Sequence, residues 1–154
     1  MEERAWTVYL AGEIHTNWRK ELLDATIKAD LPVEYHAPVT DHGASDDCGV
    51  AILGEESNPF WKDHKAAKLN AIRNRTLMQE SDLVIVRFGD QYRQWNAAFD
   101  AGLAVANDKP LITLHDPSLG HALKEIDAAA LAVAGTTAQV IDILRYIIDG
   151  TLPR

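Results

Sequence analysis

The chain has 154 residues, of which 47% are hydrophobic and 25% are charged, so it is long enough to form one globular domain over 1–154. Its net charge of −8, with 23 acidic against 15 Lys and Arg residues, argues against a nucleic-acid polymer as partner. The single cysteine, Cys48, excludes an intrachain disulfide framework and indicates a reducing compartment. The start MEERAWTVYLAG has acids where a signal peptide has bases, and no apolar run reaches membrane-spanning length. We therefore expect a soluble, cytoplasmic protein with no membrane partner.

Apolar runs of strand length alternate with helical patterns along the chain. Strands are predicted at 7–11, 32–37, 82–88, 111–114 and 130–133. Helices are predicted at 16–29, from about 62 to 79, from about 97 to 106, at 118–129 and at 136–149, where Thr136 and Gln139 occupy capping-box positions. Residues 38–61 are predicted to be irregular because glycine and proline interrupt them (Gly43, Gly49, Gly54 and Pro59).

This alternation predicts an α/β fold with a parallel sheet covered by helices on both faces. Five strands favour a flavodoxin-like three-layer sandwich with strand order 2-1-3-4-5. Ligands of such sheets bind beyond the carboxyl ends of the strands, near the switch point beside the first strand. The loops that this rule selects are 12–17, 38–49, 89–96 and 115–118.

One carboxylate interrupts an otherwise apolar helix. Between 97 and 106 every residue is apolar or glycine except Asp100. A helix that is apolar all round is expected to be buried on most sides, and a buried carboxylate needs a partner. Asp100 is interpreted either as a structural acid or as a catalytic carboxylate at the floor of a pocket, near Asn96 one turn earlier. The candidate partners for a structural acid are Arg73, Arg75 and Arg87.

Three segments together, TVYLAGEIH, SDLVIVRFG and NAAFDAGLAVANDKPLITL, resemble the nucleoside 2-deoxyribosyltransferase-like superfamily. The AGEIH-x-NWR opening, the FG-x-x-Y-x-QWN segment and the D-x-x-x-A helix are similar to its YtoQ family over nearly the whole chain. The resemblance implies an enzyme without cofactor or metal that cleaves or transfers an N-glycosidic bond of a nucleoside or nucleotide-like molecule. It also implies a homodimer or larger homo-oligomer, in which a neighbouring subunit completes each pocket.

The resemblance assigns roles to individual residues. The transferases' nucleophilic glutamate matches Asp100, the tyrosine that orients it matches Tyr9, and an aspartate that contacts base or sugar falls near Asn74. Aspartate is one methylene shorter than glutamate, and a misplacement of about 1 Å can cost roughly a hundredfold in rate. Where relatives have G-P or G-W after the first strand, this chain has Gly12-Glu13. Glu13 is thus a candidate second catalytic carboxylate, or an exposed loop acid.

The predicted binding residues come from the same loops and helix starts. They are Gly12, His15, His42, Asn74, Gly89, Gln94, Trp95 and Asn96. Arg19 is interpreted as a 5′-phosphate ligand or as part of a solvated helix start. The aromatic residues Trp61, Tyr92 and Trp95 are interpreted either as stacking on a base or as part of the core. Residues 38–49 are predicted to be a lid rather than a metal site, because their spacing matches no strong ligand pattern.

Two other functions compete with an N-glycosidic hydrolase or transferase. A binding or sensing module would keep the pocket without turnover, and the Asp-for-Glu replacement favours it. A phosphoacceptor receiver domain has the same fold class but needs an aspartate at the end of the third strand, where this chain has Phe88-Gly89.

Overall fold

The computed structural model describes residues 4–91 and 94–154, which form one parallel β-sheet between two layers of helices. The strands are β1 (Trp6–Gly12), β2 (Val33–His36), β3 (Leu83–Arg87), β4 (Leu111–Leu114) and β5 (Ala132–Ala134). The helices are α1 (Trp18–Lys28), α2 (His42–Leu53), α3 (Pro59–Glu80), α4 (Trp95–Ala106), α5 (Lys124–Ala129) and α6 (Thr137–Asp149). Among these described helices, none has the length and apolar character needed to cross a membrane.

The sheet has the order β2-β1-β3-β4-β5 with all neighbours parallel, so the predicted fold class and strand order are confirmed. Tyr9 of β1 pairs with His36 of β2 and with Val84 of β3. The strand order reverses between β1 and β3, and Gly12 and Arg87 pair at the carboxyl end of these two strands. Functional loops are therefore expected at this edge.

Alternate residues of β1 enter two separate hydrophobic clusters, because side chains of a strand alternate between the faces of a sheet. Val8 and Leu10 pack with α1 and α6 on one face. Tyr9 and Ala11 pack on the other face with α3 and α4. Asp100 is on α4, so it lies on the face of the sheet that carries the second cluster.

Helix α4 corrects the expectation that an all-apolar helix is buried on most sides. Its buried residues are the small ones, Ala97, Ala101 and Ala104, whereas Trp95 and Phe99 are 69% and 59% exposed. Helix α4 packs against β1 and β3. Alanines let the helix backbone approach those strands closely, so the large side chains are on its outer side.

The predicted irregular segment 38–61 is wrong in its middle, which is helix α2. Asp41 caps this helix by accepting a hydrogen bond from the Ala44 amide at 2.7 Å. Gly49 is buried inside the helix, and a Cβ there would lie 2.5 Å from the Cβ of Lys65 on α3. This glycine permits close packing of two helices instead of breaking one, so the sequence pattern misleads.

The region after β4 also differs from its prediction. A helix over 118–129 is expected, but a 3₁₀ turn at Pro117–Leu119 precedes a short α5. At α6 the Thr136 hydroxyl accepts a hydrogen bond from the Gln139 amide at 3.2 Å, as the capping-box pattern predicts.

Candidate functional site

A cavity of about 600 Å³ opens between the carboxyl end of β1 and helices α2, α3 and α4. Its walls include Gly12 and Ile14 after β1, Asn74 on α3, and Asn96 and Asp100 on α4. The cavity therefore lies at the switch point that the strand order selects. Its volume is within the range of small-molecule sites.

Asp100 is a partly buried carboxylate that lines this cavity. Within 4–91 and 94–154, none of the residues forms a hydrogen bond or ion pair with it. Burial raises the pKa of Asp100 from 3.8 to about 6, and the positive charge of Arg19 opposes this rise. The carboxylate is thus available to a ligand, and it changes charge close to neutral pH.

Tyr9 interacts electrostatically with Asp100 but is not among the residues that line the cavity. Its side chain is fully buried, and its hydroxyl is one of the few buried polar atoms of the described chain that lack a hydrogen-bond partner. Burial and then the nearby charge of Asp100 raise the pKa of this hydroxyl, so it stays protonated. A buried hydroxyl usually has a partner, so a free one next to a free carboxylate calls for a functional explanation.

Glu13 has the opposite environment although it is also buried. Its carboxylate accepts hydrogen bonds from the His15 amide at 2.8 Å, the Thr16 amide at 3.1 Å, the Thr16 hydroxyl and Arg87 Nε at 3.1 Å. Burial by itself would raise the pKa of Glu13, but these hydrogen bonds outweigh burial and lower it. Glu13 remains ionised and connects the loop after β1 to the end of β3.

The guanidinium of Arg19 is bound to main-chain carbonyls at the end of β1. It donates to the carbonyl oxygens of Glu13 at 2.8 Å, Leu10 at 3.1 Å and Gly12 at 3.4 Å. Its Cζ lies 4.6 Å from the centroid of the Trp18 ring. Burial lowers the pKa of Arg19 to about 10. Because its donors are directed at the backbone, this geometry favours a role in shaping the loop over binding a phosphate.

Gly12 makes the close contact between β1 and β3 possible. Its φ is +111°, and a Cβ at this position would lie 2.1 Å from the Arg87 carbonyl oxygen. The following residue, Glu13, donates its amide to the same carbonyl at 3.1 Å. Only glycine fits a backbone that is both left-handed and this close to a neighbouring strand.

Helices α2 and α3 supply the polar wall opposite α4. On α2, His42 Nε2 lies 3.1 Å from Asp46 Oδ2, and both side chains line the cavity. On α3, the Oδ1 atom of Asn74 is buried without a hydrogen-bond partner. Asp63 and Arg75 of α3 line the cavity as well. Carboxylates thus outnumber cations around the opening.

The structure brings five of the predicted site residues to the cavity, namely Gly12, His42, Asn74, Asn96 and Asp100. Tyr9 is buried near Asp100 and does not line the cavity. Glu13, His15 and Gly89 are grouped next to the cavity, where a Cβ on Gly89 would lie 3.3 Å from Glu13 Cγ. Gln94 and Trp95 begin α4 and are not among the lining residues, and Tyr92 is outside the described residues.

Sequence reasoning named Asn74 but missed the rest of the contribution of α3. Asp63, Ala67, Asn70 and Asn74 line the cavity from this helix. They follow one another at intervals of three or four residues, which is the spacing of one helix face. This stripe of polar and small residues along one helix face is the signal that would have indicated a ligand-facing surface.

Residues 9–148 match the model of the family described as nucleoside 2-deoxyribosyltransferase YtoQ. The chain belongs to this family. It is 43% identical to the YtoQ protein of Bacillus subtilis (strain 168) over 142 residues, which cover 92% of this chain and 96% of that protein. The resemblance inferred from the sequence motifs is therefore confirmed.

Solved structures share the fold of this YtoQ-family chain at low sequence identity. A 2-deoxyribosyltransferase from Bacillus psychrosaccharolyticus superimposes with a TM-score of 0.55 and 16% identity, over 88% of this chain and 90% of that one. A conserved protein from Enterococcus faecalis V583 superimposes with a TM-score of 0.62 and 13% identity, over 93% and 99% of the two chains. At these identities the similarities show a shared fold and not a shared activity.

Proposed function

We propose that this protein cleaves the N-glycosidic bond of a nucleoside or nucleotide-like small molecule and passes the sugar to water or to a second base. The observation that carries the proposal is the Asp100 carboxylate, which lines the cavity without a hydrogen-bond or ion-pair partner among residues 4–91 and 94–154, near the unpartnered hydroxyl of Tyr9. Membership of the nucleoside 2-deoxyribosyltransferase YtoQ family supports the same chemistry.

Asp100 acts in this proposal as nucleophile, or as a base on water. Positive charge develops at the anomeric carbon as the base departs, and a fixed carboxylate in a partly desolvated cavity stabilises that charge. The Tyr9 hydroxyl is kept protonated by burial and has no hydrogen-bond partner in the structure. In this proposal it donates a hydrogen bond to Asp100 once substrate is bound, and so orients the carboxylate. Asp100 must be ionised to act, so activity rises as pH increases through about 6, the value to which burial raises its pKa.

The remaining predicted residues divide between contact and positioning. Asn74 and Asn96 present amides to the substrate, and the Oδ1 atom of Asn74 is a buried acceptor in need of a donor. Glu13, predicted as a second catalytic carboxylate, already accepts four hydrogen bonds. Those bonds support a positioning role, in which Glu13 holds the loop that carries Gly12 and Ile14.

Release of free base measures the activity directly. The protein is incubated with ribo- and deoxyribonucleosides and their 5′-monophosphates, and the products are separated by chromatography. Asp100→Asn and Asp100→Ala should each lower base release by at least about a thousandfold. Asp108→Asn is the matched control, because Asp108 follows the same helix, is exposed and has a positive φ that asparagine tolerates.

Two results would contradict this function. One is a folded Asp100→Asn variant that releases base at the wild-type rate. The other is wild-type protein that binds a nucleoside in calorimetry yet releases no base from any member of the panel. The second result would instead support a binding or sensing module, which the aspartate in place of the transferases' glutamate favours.

Assembly into a homo-oligomer is part of the proposal. Four aromatic side chains at the starts of α3 and α4 are more than half exposed in the single chain: Phe60, Trp61, Trp95 and Phe99. Phe99 also lines the cavity. Exposed apolar surface of this kind marks interaction sites. Light scattering coupled to size-exclusion chromatography should give a mass of at least two chains, and a monomer would contradict it.

Cys48, the single cysteine, supports a reducing, cytoplasmic location.

A further inference from the structure

Asp100 supplies only half of the chemistry that cleavage of an N-glycosidic bond requires. When the bond between the anomeric carbon and the base breaks, its electron pair stays on the base nitrogen, and the base leaves more readily if it gains a proton. Three groups near the cavity qualify poorly as the donor. Glu13 is ionised and holds four hydrogen bonds, Tyr9 is buried against Asp100, and Arg19 is bound to backbone carbonyls.

His42 is placed differently. It is the first residue of α2, which packs against α3, and its side chain lines the cavity that Asp100 lines from α4. Its Nε2 lies 3.1 Å from Asp46 Oδ2, one helical turn further along. A carboxylate at this distance from one ring nitrogen favours one orientation of the imidazole, in which the other nitrogen is available to a substrate. The His42 side chain is 75% exposed, so water can replace a proton that it gives away.

We propose that His42, oriented by Asp46, is the general acid that protonates the departing base. This inference rests on the proposed function. Asp100 forms a bond to the anomeric carbon, the bond from that carbon to the base breaks, and its electron pair takes the Nδ1 proton of the His42 imidazolium. In the second half-reaction an acceptor, water or another base, attacks the glycosyl carbon, releases the Asp100 carboxylate and returns its proton to His42.

Other charged groups face His42 and must be distinguished from it in any pH profile. They are Asp46 on α2, Asp63 and Arg75 on α3, and Asp100 on α4. Substrates with different leaving bases distinguish His42 from these groups. Loss of the residue that protonates the base should slow cleavage only for bases that must be protonated to leave. A general acid acts only while it carries its proton, so the activity that depends on it falls as pH rises.

Two pairs of substrates vary the need for a proton. 7-Methyl-2′-deoxyguanosine carries a positive ring and releases a neutral base without protonation, whereas 2′-deoxyguanosine does not. The base of 5-fluoro-2′-deoxyuridine leaves as an anion more easily than that of 2′-deoxyuridine. The variants are His42→Gln and Asp46→Asn, and His121→Gln is the control because His121 is exposed and lies after β4, outside the cavity lining.

His42→Gln should lower kcat by about a hundredfold or more for the unmodified member of a cleaved pair and by less than about threefold for the activated member. Asp46→Asn should lower kcat for the unmodified substrate by about tenfold, and His121→Gln should leave kcat unchanged for both members of the pair. The fall in kcat with rising pH should disappear for the activated substrate. An equal loss on both members of a pair, or no loss on either, would overturn the role of His42 while leaving Asp100-dependent cleavage intact. If wild-type protein releases none of the four bases, or Asp100→Asn releases them normally, the proposed function fails as well.

Discussion

Glu13 and Asp100 are two carboxylates at the same edge of the sheet, and their surroundings are opposite. Glu13 accepts two amide, one hydroxyl and one guanidinium hydrogen bond, whereas Asp100 accepts none from the described residues. Hydrogen bonds lower the pKa of the first, and burial without them raises the pKa of the second to about 6. Donors aimed at a carboxylate, and not its burial, therefore decide whether it stabilises the fold or remains available to a ligand.

The difference has an energetic consequence. A satisfied ionic group adds stability, and its removal leaves donors unpaired. A buried ionic group without hydrogen bonds destabilises the folded state, and functional sites commonly contain such groups. The two carboxylates should thus respond to neutralisation with opposite signs.

Glu13→Gln should give the largest change. Loss of the charge leaves Arg87 and two amides with a weaker acceptor, so the free energy of unfolding at pH 7.5 should fall by about 1–3 kcal/mol. Because hydrogen bonds lower the pKa of Glu13 in the folded state, its contribution is present above the ordinary value of 4.5 and is lost as pH falls below it. Urea unfolding at pH 7.5 and pH 3.5 measures both effects. Glu55→Gln, in an exposed loop, is the control. An equal loss of stability in both variants would contradict the stabilising role of the Glu13 hydrogen bonds.

Asp100→Asn should act in the opposite direction. Burial raises the pKa of Asp100 from 3.8 to about 6, so the ionised form penalises folding. The stability of the neutral form is fully present below the unfolded value and is lost as pH rises through about 6. Asparagine should therefore raise the free energy of unfolding at pH 7.5 by about 1–2 kcal/mol, with little difference from wild type near pH 3.5. A destabilised variant at pH 7.5 would identify Asp100 as a structural acid.

Tyr9→Phe should have the smallest effect on stability. It tests whether the hydroxyl next to Asp100 serves activity and not stability. Removing an unpartnered buried hydroxyl should change the free energy of unfolding by less than about 0.5 kcal/mol, while base release falls at least about tenfold. Tyr35→Phe is the matched control, because the Tyr35 hydroxyl shares a hydrogen bond with Thr26 Oγ1 at 2.7 Å. That variant should lose about 1 kcal/mol of stability and keep its activity. Thermal unfolding beside the base-release assay tests both, and equal stability losses would contradict the assignment.

Local patterns along the chain determine much of this protein. The alternation of strands and helices predicts the parallel sheet and its order, and the lone carboxylate in 97–106 predicts a polar group at the functional edge. Thr136 predicts the start of α6. These features follow from residue periodicity, capping and the rule for ligand sites in open sheets, all of which depend on neighbours in sequence.

Contacts between distant residues decide the rest. Gly49 suggests a break in the chain until the backbone of α3, next to Lys65, requires the absence of a side chain there. Glu13 looks like a free loop acid until Arg87, 74 positions later in the sequence, donates to it. The polar wall of α2 and α3 arises only when these helices pack together and face α4. Burial and hydrogen-bond partners are properties of the packed chain, so only the tertiary structure distinguishes a carboxylate that holds the fold from one that is left for a ligand.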